Sequence, residues 1–146
     1  MHTVDLADAI VTRLNAEDWD LEFTARRSLR DEKDLGETEN LQVVVVPVGI
    51  TSERETRTEV RHQMVVNLGI VQKAGVAVAD MDAFCVARMD LAEAIVKDLQ
   101  WNQLAGFSQA TFMAALVDPI FDAESIATRR QFFTVIVLTY QVQETE

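Results

Sequence analysis

Apolar residues are most continuous near the end of the chain, where residues 129–143 have the sequence RRQFFTVIVLTYQVQ. β-Branched and aromatic residues fill this stretch and no Gly or Pro interrupts it, so it predicts a strand. Both alternating faces are apolar, and such strands are usually covered on both faces. We expect helices of this chain to cover one face, and either more of this chain or a neighbouring subunit to cover the other.

Four other stretches have the residue pattern of strands. Residues 20–30 alternate between apolar and polar side chains, as in a half-exposed strand, and residues 59–72 predict a longer one. Residues 41–48 predict a strand in which Pro47, which cannot donate a backbone hydrogen bond, marks an end or an edge. Residues 110–117 predict a short strand, although their alanines and methionine also suit a helix.

Two stretches have apolar residues at helical spacing, residues 3–17 and residues 80–101. Arg88 interrupts the apolar stripe of the second helix, so we expect that turn to meet solvent or a partner. Strands that follow one another, instead of alternating strictly with helices, predict the α+β class. We expect a mainly antiparallel sheet of four to five strands, with two helices packed on one face.

The length of 146 residues suits one domain, so we expect residues 1–146 to form a single α+β domain. The polar residues from about 49 to 58 predict a long projecting hairpin loop. The charged residues 31–40 and residues 118–128 predict two further loops, the second broken by Asp118-Pro119.

The chain is strongly acidic, with 13 basic and 24 acidic residues and a formal charge of −11. A protein of this charge should not bind nucleic acid through contacts to its phosphates. It could line a passage through which nucleic acid slides without sticking, although solubility alone also accounts for the charge.

Cysteine usage and the N-terminus exclude several classes. The one cysteine, Cys85, excludes an internal disulfide and a zinc site of paired cysteines, and its apolar helical setting favours a buried, inert thiol. The first residues lack the basic and apolar regions of a signal peptide, and no apolar run reaches membrane-spanning length. We therefore expect a protein made and used in a cytoplasm, with no membrane partner.

Motifs that support chemistry are scarce. The sequence has no Gly-rich phosphate loop, no serine-nucleophile motif and no His/carboxylate metal spacing. His62 falls on the apolar face of a strand, which favours a hydrogen-bonded structural histidine. Asp118, Asp122 and Glu124 fall in one loop without calcium-loop spacing, which favours a solvated turn. We expect no catalytic residues, no cofactor and no metal, and a protein that is not an enzyme.

The predicted strands over residues 59–72 and 129–143 have more apolar surface than one small helical layer must cover. This surface and the polar hairpin loop need an explanation. They suit a subunit that assembles with copies of itself, and they suit equally a monomer whose loops pack back.

Several short segments have a familiar order and spacing. They are Ala9-Ile10-Val11 to Leu14, Val45-Val46-Pro47, Thr56-Arg57 before a long strand, Asp118-Pro119-Ile120-Phe121-Asp122, Arg130-Gln131-Phe132, and Leu138-Thr139-Tyr140. In these segments the chain resembles the tail terminator proteins of long-tailed bacteriophages, also called tail-completion or head–tail joining proteins. The resemblance covers most of the chain, and its motifs are short and structural, so residues match by pattern and not by identity.

The resemblance implies a structural virion protein, assembled in the host cytoplasm and located at the tail–neck junction. Such subunits form a six-membered ring that caps the tail tube, stops its growth and joins the tail to the head. The implied partners are further copies of the chain, the tail tube protein and a head–tail connector or neck protein. Genomic DNA would pass through the ring without specific binding.

The resemblance also implies where contacts lie. The loop of about residues 49–58 would touch the tail tube or the adjoining ring, and its charged side chains would form ion pairs at the rim of the contact. The candidate ring or tube residues are Glu53, Arg54, Glu55 and Arg57, with Arg129 and Arg130 at a subunit boundary. The acidic residues 31–40 depart from the family pattern, because a matching protein need not be acidic there.

Three other functions stay open from the residues. One is another connector of the neck or of head completion, bound on the head side. Another is a small dimeric ligand-binding α+β domain with a pocket between helix and sheet. The last is an enzyme built around His62, Asp118 and Asp122.

Overall fold

The computed structural model describes residues 2–28, 41–73, 80–107, 109–117 and 131–145. In these ranges the elements are helix α1 (His2–Ala16), strands β1 (Thr24–Arg27), β2 (Gln42–Arg54) and β3 (Glu59–Lys73), helix α2 (Met81–Trp101), and strands β4 (Ala110–Val117) and β5 (Gln131–Thr145). The predicted order of helices and strands is confirmed, including a strand at residues 110–117.

The five strands form one sheet in the order β1-β2-β3-β5-β4. Three of its four strand pairings are antiparallel, and the pairing of β1 with β2 is parallel. The predicted α+β class with a mainly antiparallel sheet is therefore confirmed, and the short parallel strand makes the sheet mixed.

One hydrophobic core joins both helices to a single face of the sheet. Leu14 of α1 and Leu99 of α2 are buried in the same cluster as Leu138 of β5. A bidentate ion pair also ties the helices together. Arg13 donates through Nε and Nη2 to the two carboxylate oxygens of Asp98, at 2.9 and 2.7 Å.

The second face of the sheet is covered at one end only. Val44, Val71 and Phe133 are buried on it, because strand alternation directs them away from the helices. Further along β5, the second-face residues Val135 and Val137 are only half-buried. The expectation that β5 is covered on both faces thus holds near Phe133 and weakens towards the middle of the strand.

The predicted strand over residues 20–30 was too long. Within the described residues the strand covers only Thr24–Arg27, and residues 20–23 are not part of it. The side-chain amide of Asn15 explains how this short strand is held. It donates to the Ala25 carbonyl at 3.0 Å and accepts from the Ala25 N–H at 2.8 Å, so α1 occupies the outer edge of β1.

The predicted hairpin loop at about residues 49–58 was also wrong in its form. β2 continues to Arg54, and only residues 55–58 lie between it and β3. Pro47 does not end β2, because a bulge between Pro47 and Gly49 lets the strand continue. The outer edge of β2 beyond Val45 has no strand neighbour in the described sheet, which is where a proline is tolerated.

Candidate interaction surfaces

The hairpin arm, defined as residues 49–63 of β2 and β3 with the turn between them, is the most exposed part of the described sheet. Residues 50–58 are all exposed. The end of β5 pairs along β3 as far as Glu59 and Thr145, so the arm is three strands wide. Ile50 is 47% exposed on the side that faces the helices elsewhere in the sheet, so the helical layer does not cover Ile50, whereas His62 on the same side is half-buried.

Hydrogen bonds brace the turn at the tip of the arm. Arg54 donates through Nε to the Thr56 carbonyl at 3.0 Å and through Nη2 to the Arg57 carbonyl at 3.1 Å. The Thr56 hydroxyl accepts from the backbone N–H groups of Thr58 and Glu59. Arg54 is therefore engaged within the turn, whereas the exposed Arg57 side chain makes no hydrogen bond or ion pair with described residues.

The second face of the arm holds a small charged network. Arg61 contacts Glu53 at 3.0 Å and Glu55 at 3.1 Å, and Gln143 of β5 donates to both Glu55 and Glu59 at 3.1 Å. The structure therefore brings the predicted residues Glu53 and Glu55 together through Arg61. These exposed pairs set the register of the three strands and add little stability each.

The other face of the arm holds a group that sequence analysis missed. Ser52 Oγ lies 2.7 Å from His62 Nδ1, and His62 Nε2 lies 3.1 Å from Glu144 Oε2. The three side chains lie on three adjacent strands, so this contact also fixes strand register. Ser52 projects from a regular strand and not from the sharp strand-to-helix turn that carries the nucleophile of α/β-hydrolases. The Ser52 contact confirms the predicted hydrogen bonding of His62.

A groove outside the sheet lies between α2 and the segment that follows α1. The tryptophan groove, lined principally by Asp18, Trp19, Asp20, Asp90, Leu91 and Trp101, has a volume of about 510 Å³. The Trp19 indole donates to the Leu14 carbonyl at 2.8 Å and stacks on Phe23, so it is held in place. The Trp101 indole is 76% exposed, which leaves a large apolar ring open to solvent.

One edge strand is also open. β4 is the last strand of the described sheet, so its outer edge has no strand neighbour there, and Met113 and Leu116 are 49% and 59% exposed. An unpaired strand edge with apolar side chains is a surface on which another chain can add.

The turn that carries Arg88 reaches solvent as predicted, since Val86 is 57% exposed, whereas Arg88 itself is half-buried. It donates to the Gln72 side chain at 2.9 Å and to the Phe84 carbonyl at 3.2 Å, and its guanidinium lies 3.7 Å from the Phe84 ring centre. Burial lowers the pKa of Arg88. Burial, with a smaller effect of Asp82, raises the pKa of the half-buried Cys85 thiol, which disfavours a reactive thiolate.

Several predicted residues lie outside the described ranges. They are Arg129 and Arg130, the acidic residues 31–40, and the Asp118, Asp122 and Glu124 of the predicted loop. Among the residues that are described, no group of three or more His, Cys, Asp or Glu side chains could hold a metal ion. No helix in those ranges has the length and apolarity to cross a membrane.

Comparison with known proteins adds no family to this picture. Neither a scan against protein-family models nor a search of curated proteins found a match for the chain.

Proposed function

We propose that the protein is a phage tail terminator. In this proposal, copies of the chain form a ring that caps the tail tube, stops its growth and joins the tail to the head through a connector or neck protein. DNA passes through the ring without being bound. The protein acts by assembly and not by catalysis, with no cofactor.

The hairpin arm is the observation that supports this proposal most directly. Residues 50–58 are exposed, the helical layer leaves Ile50 uncovered, and charged side chains of the arm make hydrogen bonds and ion pairs within it. An exposed arm of strands, braced by its own hydrogen bonds and ion pairs, suits contact with a neighbouring subunit or ring. The resemblance of the sequence segments to tail terminators names the kind of assembly.

Two further features agree with a ring around DNA. The open β4 edge and the half-buried valines of the second sheet face provide surface for neighbouring subunits. The charge of −11 disfavours adhesion of a DNA backbone to the ring during its passage.

Tail-tube growth in the presence of the protein tests the proposal. Purified tail tube protein from the same phage would be polymerised with and without the chain, and tube lengths and tube ends would be measured by negative-stain electron microscopy. We expect short tubes of uniform length that carry a ring at one end. Light scattering of the chain alone gives the mass of any ring formed without a tube.

Two outcomes would change the proposal. Tubes of unchanged length without rings at their ends would contradict it. Rings that bind purified connectors but not tubes would instead favour the head-side connector.

A further inference from the structure

The tryptophan groove has the chemistry of a site for an organic cation. Asp18, Asp20 and Asp90 line it, and none of the three makes a hydrogen bond or ion pair with described residues. Asp98, at the same groove, is already paired with Arg13, and Lys97 is the cationic side chain that contributes to the lining. The lining thus has three carboxylates without such partners and one lysine, which gives the groove a net negative charge.

The two indoles make a guanidinium the best-fitting cation. A planar guanidinium stacks on an indole face and donates two parallel hydrogen bonds to a carboxylate, which an ammonium cannot do. Trp101 is exposed and Trp19 is held by its bond to Leu14, so both can flank an entering side chain. The buried Leu91 forms an apolar floor for the methylene stem.

Among the described residues of the chain, one arginine is suited to this groove. Of the arginines in the described ranges, five are engaged: Arg13, Arg27, Arg54, Arg61 and Arg88. The side chains of Arg26 and Arg57 make no hydrogen bond or ion pair with the described residues. Arg26 projects from a short strand, whereas Arg57 lies at the tip of the hairpin arm, where it can enter a groove on another molecule.

We infer that Arg57 at the arm tip of one copy enters the tryptophan groove of the next copy, between Trp101 and Asp90. The contact joins two different surfaces, so each copy offers a tip to one neighbour and a groove to the other. Such a head-to-tail contact generates a ring when the rotation closes. This inference rests on the ring assembly proposed above and names its subunit contact.

Mixing two assembly-blocked variants of the full chain tests the contact. Arg57→Glu leaves the tryptophan groove intact but removes the arginine at the arm tip. Asp90→Arg leaves the arm tip intact but reverses a charge in the groove. We expect neither variant to self-associate, whereas an equimolar mixture forms a one-to-one dimer in sedimentation and changes the tryptophan fluorescence. Trp101→Ala added to the Arg57→Glu protein should weaken that dimer about tenfold.

Matched variants control for charge alone. Arg26→Glu makes the same charge change as Arg57→Glu, but at a position away from the arm. Glu93→Arg makes the same charge change as Asp90→Arg, but at an exposed position of α2 outside the groove. Both should assemble as the parent chain does. Circular dichroism checks that every variant is folded.

Each outcome separates the contact from the proposed function. Rings formed by Arg57→Glu or Asp90→Arg alone would overturn the inferred contact but would still support the proposed ring assembly. The variant mixture could form a dimer while the parent chain forms no ring. That result would support the contact and would count against a ring that the chain closes without other proteins. Monomers in every sample up to about 1 mM, with unchanged tryptophan fluorescence, would overturn the contact. The tube-length experiment would then test the proposed function independently.

Discussion

Tyr140, the one tyrosine of the chain, is a buried phenol on the helix side of β5. Its ring meets Phe112 edge to face, with a distance of 5.6 Å between ring centres. Its hydroxyl has no hydrogen-bond partner among the described residues. Burial, and to a smaller extent the charge of Asp98, raises the pKa of the phenol, so the fold strongly favours its neutral form.

We predict that Tyr140→Phe leaves the stability at pH 7 unchanged or raises it by about 1 kcal/mol, because an unpaired buried hydroxyl costs free energy. Since the folded pKa is raised, the tyrosine's contribution is fully present below the unfolded pKa of about 10 and is lost as the pH rises above it. The parent chain should therefore lose stability between about pH 9 and pH 11 more steeply than the variant. Urea unfolding at several pH values measures this difference.

The same residue supplies its own control. Because there is one tyrosine, the ultraviolet absorbance of tyrosinate reports Tyr140 alone. Tyrosinate that forms in the folded protein near pH 10, or equal pH slopes for the two proteins, would contradict the prediction.

At the scale of elements, two glycines have different backbone demands. Gly106, in the turn between α2 and β4, has a φ of +77°, which L side chains rarely adopt. Gly49, beside the bulge in β2, does not have this conformation. An added Cβ would meet no atom within 4 Å at either glycine, so backbone conformation alone distinguishes them.

We predict that Gly106→Ala lowers the free energy of unfolding by about 1–2 kcal/mol, because it forces a left-handed conformation on alanine. Gly49→Ala should raise it by about 0.4–1 kcal/mol, because alanine restricts the unfolded chain. Urea midpoints of both variants compare the two sites. Equal effects of the two substitutions would show that the turn at Gly106 rearranges.

The elements also show where sequence patterns stop being informative. Polar residues after Pro47 predicted a loop, yet β2 continues through them because β3 supplies a full ladder from Gly49 to Arg54. Cross-strand contacts such as Ser52 with His62 then hold polar residues in the strand. Conversely, apolar alternation over residues 20–23 did not produce a strand, since no neighbouring strand pairs with them in the described sheet.

At the scale of the whole molecule, the charge of −11 makes a prediction about DNA. We expect no change in the gel mobility of duplex DNA when the chain is added at about 0.15 M salt, because an acidic surface releases no phosphate counterions. A basic DNA-binding protein serves as the positive control. Micromolar binding to duplex DNA would contradict passage without adhesion.

The sequence by itself determined the order and type of the elements, the α+β class and the acidic character, because side-chain period and charge are local properties. It also placed charged candidates such as Glu53 and Arg57 in one short segment. Only the tertiary structure decided that Glu53 and Glu55 share Arg61, and that Trp19 and Trp101 line one groove. Those contacts depend on strand register and helix packing between distant segments, which no local pattern specifies.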